Sequence, residues 1–300
     1  MPTKDEIQER ATAAFDELAA ALEQGNSKQL TAYLQTMSRF HQYSFGNCIL
    51  IALQKPDATH VAGFQRWKQL GRFVKSGERG IAILAPMAFR KKQTDDAAQE
   101  STVDESPEEG NEKSTRRRVR GFKLAFVFDV SQTDGKPLPE FATISGDPGE
   151  KLQRLEAVIH GHGISLSYEG IDNGALGVSE GGRIRVLPSL SQAETFSVLA
   201  HELAHELLHR GERRKETTKT IRETEAEAVA FVVCHASGVD SRTRSSDYIR
   251  LYNGDKELLQ QSLEQIQKVS TSILSQLQQT PADVVIEPQE IVSVEMAAAI

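Results

Sequence analysis

Apolar residues recur every three or four positions at the start of the chain, and this period predicts an amphipathic helix over residues 3–24. Gly25 and Asn26 follow it, and both residue types are typical of a helix end. The same period predicts a helix over residues 27–39 and another from Ser44 to Leu53. The chain is therefore expected to begin with three helices.

Short apolar runs bounded by glycine come next and predict strands. One run lies at residues 81–84, and strand character resumes at residues 122–128. Residues 91–118 contain almost nothing apolar, so burial cannot offset the entropy that is lost when they become ordered. We expect a mobile, hairpin-like insert there. Glycines and prolines further along predict a domain boundary near residue 145.

The second part of the chain also mixes helices and strands. Ser191 and Glu194 have the spacing of a capping box, which opens a helix that Gly211 is expected to end. The remaining predicted elements are helices over 149–161, 220–237 and 255–279 and strands over 163–168 and 181–187. The fold class is thus predicted to be α+β, with domains at 1–145 and 146–300.

Length and composition restrict the class of protein. The 300 residues, 39% of them hydrophobic, suit one large domain or two ordinary ones. No apolar run approaches the roughly 18 to 20 residues of a membrane span, so we expect no membrane partner. Cys48 and Cys234 fit no C-x-x-C pattern, and the N-terminus has no secretory apolar segment. These features predict a reduced, cytoplasmic setting.

The net charge of −7 conceals a strong asymmetry along the chain. Residues 26–92 carry eleven Lys and Arg against two acidic residues, whereas residues 129–300 carry sixteen against twenty-six. The segment at residues 93–115 is acidic, with eight Asp and Glu against one Lys. A basic region beside an acidic one predicts an anionic partner for the first region alone.

One short motif carries recognisable chemistry, the run HELAH at residues 201–205. Histidines four apart lie on the same helix face, which lets His201 and His205 reach one zinc ion. Glu202 follows the first histidine and is placed to act as general base toward a zinc-activated water. A bare H-E-x-x-H also occurs by chance on amphipathic helices, so the surrounding sequence must supply a third ligand.

Three glutamates on the next predicted helix compete for that role. Glu223 and Glu227 are four apart and share a helix face, while Glu225 points roughly the opposite way. His209 continues the spacing of the motif, but it lies about 12 Å along the helix axis from His201 and is too far away to share an ion with it. We expect His209 to be a surface residue or to support a ligand from behind.

The string E-x-E-A-E at residues 223–227, following H-E-x-x-H, resembles the glutamate zincins, or gluzincins. The resemblance implies that His201, His205 and Glu223 bind Zn²⁺ and that Glu227 supports a ligand histidine. The strand predicted at Ile184–Leu187 is either the edge that zincins present to an extended peptide or an ordinary core strand.

Single-stranded DNA is bound by positive charge along a groove and by aromatic faces on which bases stack, and residues 26–92 contain both. Exposed arginines are often only a solvated surface, so that alternative stays open. Phe45 and Phe64 are expected in the core, and Trp67 fits either role. The candidate DNA-binding residues are Tyr43, Asn47, Arg66, Trp67, Arg72 and Lys75.

The order of these residues resembles the N-terminal domain of the ArdC-type antirestriction proteins. The resemblance rests on YSxxN at 43–47, FxxWxxLGRxVxxGExGI at 64–81 and VFDxxQTxGxPLP at 127–139. It implies a basic single-stranded-DNA-binding domain followed by a zincin-like metallopeptidase domain, which is also similar to the ImmA/IrrE family. The implied function is protection of incoming DNA from restriction, with peptide-bond hydrolysis of an unknown protein. The alternatives are a regulatory protease that cleaves a repressor and a DNA-binding protein with a purely structural metal.

Overall fold

The computed structural model describes residues 2–88, 119–136, 146–171, 175–239 and 255–278. The predicted insert at 91–118 and the predicted boundary near residue 145 lie outside the described residues. Helices and strands occur in both halves, which confirms the predicted α+β class.

The N-terminal half begins with three helices and continues with short strands around one long hairpin. The helices agree with the predicted ones to within one residue at most ends. The strand beginning at Ile81 is longer than predicted. In chain order the elements are α1 Lys4–Glu23, α2 Lys28–Arg39, α3 Phe45–Gln54, β1 Val61–Gly63, α4 Phe64–Gln69, β2 Arg72–Val74, β3 Ile81–Ala88, β4 Val119–Asp129 and β5 Thr133–Gly135.

The C-terminal half surrounds one three-stranded sheet with helices. Its elements are α5 Glu150–Gly161, β6 Ser165–Tyr168, β7 Gly177–Ser179, β8 Arg183–Val186, α6 Gln192–Leu208, α7 Glu212–Glu216, α8 Lys219–Ser237 and α9 Lys256–Gln278. The capping box of Ser191 and Glu194 is present at the start of α6. The end of α6 differs from the prediction. The helix stops at Leu208, and Gly211, at φ 62°, turns the chain into the short helix α7.

Packing divides the chain into two compact units, residues 1–14 with 49–136 and residues 15–48 with 137–300. In the first unit, β4 lies between β1 and β3 in an antiparallel sheet. The residues Ile7, Leu50 and Ala82 form its buried cluster. The first unit therefore combines the start of α1 with the sheet formed by β1, β4 and β3.

The second unit contains the HELAH helix. Helix α6 packs against α8, and α8 also contacts α2 and α9. In the sheet, β8 lies in the middle, parallel to β6 and antiparallel to β7. Strand β8, which was predicted to be either a peptide-binding edge or a core strand, is thus central. In the described part of the chain, β7 lies at one edge of this sheet.

The compact units do not follow a single cut in the sequence, because α2 packs against α8 although almost 200 residues separate them along the chain. The division into domains 1–145 and 146–300 stays a prediction. Among the helices that the structure describes, none is long and apolar enough to cross a membrane. Cys48 and Cys234 are both buried and unbridged, and the cytoplasmic setting also stays a prediction.

Candidate metal centre and nucleic-acid surface

Helix α6 places the two motif histidines side by side. Its apolar face, which includes Leu199 and Leu203, is fully buried and fixes the rotation of the helix. The Nε2 atoms of His201 and His205 then lie 3.1 Å apart, as expected for residues four apart on one face.

Helix α8 brings a carboxylate to the same point. Thr218 caps this helix by accepting a hydrogen bond from the amide of Ile221. Oε2 of Glu223 lies 3.6 Å from Nε2 of His201 and 3.5 Å from Nε2 of His205. The motif pair and Glu223 are the one cluster of this kind in the described part of the chain whose ligand atoms all lie within 4.8 Å of one another.

These distances fit a tetrahedral ion. Ligand atoms about 2.0–2.1 Å from zinc at tetrahedral angles lie about 3.3–3.4 Å from one another. The three measured separations of 3.1, 3.5 and 3.6 Å bracket that value. A set of two histidines and one carboxylate leaves the fourth position open, which is the arrangement of catalytic rather than structural zinc sites.

Of the three competing glutamates, the structure brings Glu223 to the histidines. Glu225 lies on another face of α8, where it contacts His209 and Arg213. Burial lowers the pKa of His201, but the contact with Glu223 and the charges of Glu202, Glu223 and Glu227 outweigh it and raise that pKa. Glu227 therefore acts on His201 through its charge, and its role as a support for a ligand stays a prediction.

The two acidic residues of the site differ in electrostatic environment. The imidazoles of His201 and His205, 3.6 and 3.5 Å away, hold the pKa of Glu223 far below its usual range. Burial raises the pKa of Glu202, against the lowering effect of the nearby histidines. Glu223 is thus the more strongly anionic group, as a metal ligand should be, and Glu202 is the better proton acceptor near neutral pH.

An open cavity of about 320 Å³ adjoins these residues. It is lined by Leu176, Gly177, Ser197, Val198, His201, Glu202, Glu223 and Ala230. The backbone of edge strand β7 passes so close to α6 that a Cβ on Gly177 would lie 2.4 Å from Cγ1 of Val198 and 3.0 Å from Cγ of Glu202. Sequence reasoning missed this glycine, because nothing in its local pattern shows which helix it faces.

Behind the candidate ligands lies a buried polar chain. Nδ1 of His205 is 3.0 Å from Nδ1 of His209, and Nε2 of His209 is 2.9 Å from Oε2 of Glu225. The other oxygen of Glu225 accepts a hydrogen bond from Arg213. The side chains of His209 and Glu225 are completely buried, so of the two expected places for His209, at the surface or behind a ligand, the structure shows the second. The continued four-residue spacing of histidines was the sequence signal for this contact.

The structure corrects part of the predicted DNA-binding set. Trp67 is only 2% exposed, and its indole N–H donates to the carbonyl oxygen of Phe128 at 2.8 Å. It is a core residue of the first unit and has no free face for a base. Asn47 is buried as well, and Asn47 and Tyr43 belong to the second unit. The six predicted residues thus do not lie in one compact unit.

The cations of the predicted set have structural partners in the first unit. The guanidinium of Arg72 donates to the side chain and carbonyl oxygen of Thr133, each at 2.8 Å, and so ties β2 to β5. Lys75 donates to the carbonyl oxygen of Ser131 at 3.0 Å. Arg66 is exposed on α4 and contacts Gln69 at 3.3 Å. Arg66 and Lys75 are thus exposed, whereas Arg72 is half-buried.

The exposed aromatic side chains of this unit are different from the expected ones. Phe64, predicted to lie in the core, is 52% exposed, and Phe73 on β2 is 60% exposed. Because Trp67 is the buried residue of α4, Phe64 is left at the start of that helix, where half of its side chain meets solvent. The exposed residues Arg66, Lys68 and Arg79 belong to the same unit.

Two family models match successive parts of the chain. Residues 3–128 match the family model of the N-terminal domain of the anti-restriction factor ArdC, and residues 160–235 match that of the IrrE N-terminal-like domain of peptidase family M78. The chain is an ArdC-type protein. The second match includes HELAH and Glu223, and it makes the second half of this ArdC-type chain metallopeptidase-like.

Individual proteins are also similar to this ArdC-type chain over most of its length. An uncharacterized protein of Bacillus anthracis is 23% identical over 306 residues, which cover 91% of the chain and 52% of the relative. The chain thus spans about half the length of that curated relative. Crystal structures of antirestriction protein ArdC from plasmid R388, one metal-free and one Mn(II)-bound, are 19% and 18% identical. Each match covers 89% of the chain and 97% or 98% of the other protein, with TM-scores of 0.48 and 0.49.

Proposed function

We propose that the second unit is a zinc metallopeptidase and that the first unit binds single-stranded DNA, in an antirestriction protein. The observation that carries the peptidase part is the triangle of His201, His205 and Glu223 beside a cavity that also contains Glu202. A purely structural zinc site is closed by a fourth protein ligand. In the described part of the chain the ligand set has three members, and it opens onto the cavity.

Each residue of the centre has a defined role in this proposal. His201, His205 and Glu223 would hold the ion, which would supply Lewis-acid polarisation of the scissile carbonyl and an activated water. Glu202 accepts the proton of the attacking water and delivers it to the leaving amine, and its burial favours this role by raising its pKa. Leu176, Val198 and Ala230 give the cavity an apolar wall for a substrate side chain.

The substrate is an extended peptide that pairs with β7. This strand lies at the edge of its sheet in the described part of the chain, and its first residue lines the cavity. Main-chain hydrogen bonds to an edge strand bind peptides with little dependence on their sequence. The selectivity would then come from the side chains of the cavity wall.

For DNA binding we propose a surface centred on the exposed aromatic rings Phe64 and Phe73, with Arg66, Lys68 and Arg79 as the cations. Aromatic faces and positive charge together are what single-stranded nucleic acid requires. These side chains replace Trp67 and Asn47 of the predicted set, which are buried.

The match to the IrrE N-terminal-like domain favours a second candidate, a regulatory protease that cleaves one repressor. Such an enzyme would need Glu202 but not the aromatic and basic surface. A DNA-binding protein with a structural metal would need the surface but not Glu202. Single substitutions therefore separate the three functions.

The test combines metal content with protection of unmodified DNA entering a restricting host. We expect wild type to hold one zinc per chain, Glu202→Gln to keep the metal but lose peptidase activity, and Glu223→Ala to lose tight binding. Glu216→Ala, an exposed glutamate on α7, is the matched control and should resemble wild type. Zinc and manganese are both quantified, because a carboxylate ligand suits either ion. Full retention of zinc by Glu223→Ala would overturn the ligand assignment.

A further inference from the structure

The buried chain behind the metal centre admits one consistent arrangement of protons. For His205 to offer a lone pair from Nε2 toward His201 and Glu223, its proton must be on Nδ1. That proton points at Nδ1 of His209, 3.0 Å away, which must then accept. The proton of His209 is consequently on Nε2 and is donated to Glu225 at 2.9 Å.

Glu225 is held as the anionic end of this chain. Its side chain is fully buried, one of its oxygens accepts a hydrogen bond from the guanidinium of Arg213, and the other lies 2.9 Å from Nε2 of His209. A carboxylate paired with an arginine is ionised, so it has no proton to donate and can only accept from His209. The direction of every hydrogen bond from Glu225 to His205 is therefore fixed by the charge at its far end.

We propose that His209 and Glu225 are positioning residues that hold His205 in the tautomer and ring orientation required of a metal ligand. The inference rests on the proposed metal site and extends it to residues that do not touch the ion. Partners of this kind behind a ligand histidine typically change metal affinity about 10- to 100-fold when they are removed. Helix α8 then contributes two residues to the centre. Glu223 is a ligand, and Glu225 supports the ligand His205 through His209.

Three substitutions near the end of α6 separate this role from simple packing. His209→Phe fills a similar volume but removes the acceptor. His209→Asn keeps an acceptor, because its Oδ1 occupies nearly the position of Nδ1. Leu208 is 4% exposed, so Leu208→Ala removes buried methyl groups next to His209. It changes no group of the polar chain.

The first measurement is zinc affinity of the full chain by competition with a chromophoric chelator. We expect about a 10- to 100-fold weaker affinity for His209→Phe and substantial recovery in His209→Asn. Leu208→Ala should lower the melting temperature and leave the zinc dissociation constant unchanged. Wild-type affinity in His209→Phe, or equal losses in the Phe and Asn variants, would overturn the proposal.

The second measurement needs no metal. Long-range nitrogen–hydrogen correlation spectra of the metal-free chain should show the Nδ1–H form of His205 and the Nε2–H form of His209. An Nε2–H form of His205 in the wild type would overturn the proposal whether or not zinc binds. If wild type takes up no zinc while these tautomers are present, the proposed metallopeptidase function fails and the positioning chain stands.

Discussion

Gly177 shows how one residue without a side chain can determine a site. Its backbone lies against Val198 and Glu202, so the distance between the edge strand and the motif helix depends on the missing Cβ. Its φ is not in the left-handed region, so the requirement for glycine here is one of space and not of backbone conformation.

We therefore expect Gly177→Ala to destabilise the fold by about 1–3 kcal/mol, since overpacking displaces neighbouring backbone. Peptidase activity should fall as well, because β7 would move away from Glu202. Urea unfolding measures the first effect. Gly161→Ala is the matched control: nothing lies within 4 Å of its Cβ position, and it should be neutral or stabilising by up to about 1 kcal/mol. Equal stability of the two variants would show that the contact is not tight in solution.

At the scale of elements, a buried carboxylate joins the motif helix to the hairpin between β7 and β8. Glu206 accepts hydrogen bonds from the amides of Gly181 and Gly182 at 2.8 Å and from the hydroxyl of Ser179 at 2.7 Å. Arg210, two residues beyond the end of α6, also donates to it. The side chain is fully buried, so the carboxylate depends on these donors.

We expect Glu206→Gln to cost about 1–3 kcal/mol near neutral pH, because hydrogen bonds to a buried charged group are lost. Burial raises the pKa of Glu206, but the hydrogen bonds from Arg210, Ser179 and the two amides have the larger effect. The pKa therefore lies below its usual value. The stabilisation is therefore complete above the unfolded-state pKa of about 4.3 and is lost as pH falls below it.

Unfolding free energies of wild type and variant, measured from pH 7 down to pH 3, should converge at low pH. Glu150→Gln is the matched control. Glu150 also has an arginine four residues away, but its side chain is 83% exposed, and the change should cost less than about 0.5 kcal/mol at any pH. A constant difference between wild type and Glu206→Gln would contradict the electrostatic origin of the effect.

The elements themselves were largely predictable from the sequence. Amphipathic periods and caps are local properties, and they placed α1, α2, α5, α8 and the start of α6 to within a residue or two. The order of strands and the contacts between helices depend on pairings far apart in sequence. Nothing local indicates that β8 is central or that α2 packs against α8.

The functional residues were also predictable only in part. The spacing of HELAH predicted the two histidines, and the resemblance of the next helix indicated Glu223, which the structure brings to them. Burial was the property that sequence reasoning estimated least well. Trp67 proved to be core and Phe64 exposed, because α4 is a six-residue helix in which composition does not show the buried face.

For the whole molecule, the charge distribution predicts how DNA binding responds to salt. An interface with six to ten phosphate contacts loses about 10³- to 10⁵-fold in affinity between 50 and 200 mM salt, and fewer contacts give a proportionally shallower slope. We expect a clear decrease for single-stranded DNA, measured by fluorescence anisotropy. A flat response would rule out the electrostatic part of the proposal.

Substitution of the exposed rings tests the stacking part separately. Phe64→Ala and Phe73→Ala should each weaken binding by about 1–3 kcal/mol and leave the salt slope unchanged. Leu53→Ala is the matched control, because Leu53 is a similarly exposed apolar residue of the same unit, 50% exposed on α3. If all three variants bind equally well, stacking occurs elsewhere.

The attachment of the Gly181–Gly182 turn to Glu206 has a consequence for the motions of the protein. A surface turn normally exchanges its amide hydrogens with solvent within seconds or faster, because nothing protects them. These two amides are bonded instead to the buried carboxylate of Glu206 on α6, so they exchange only when those hydrogen bonds break. The exchange of these two surface amides therefore reports on the contact between the turn and the helix that carries the histidines.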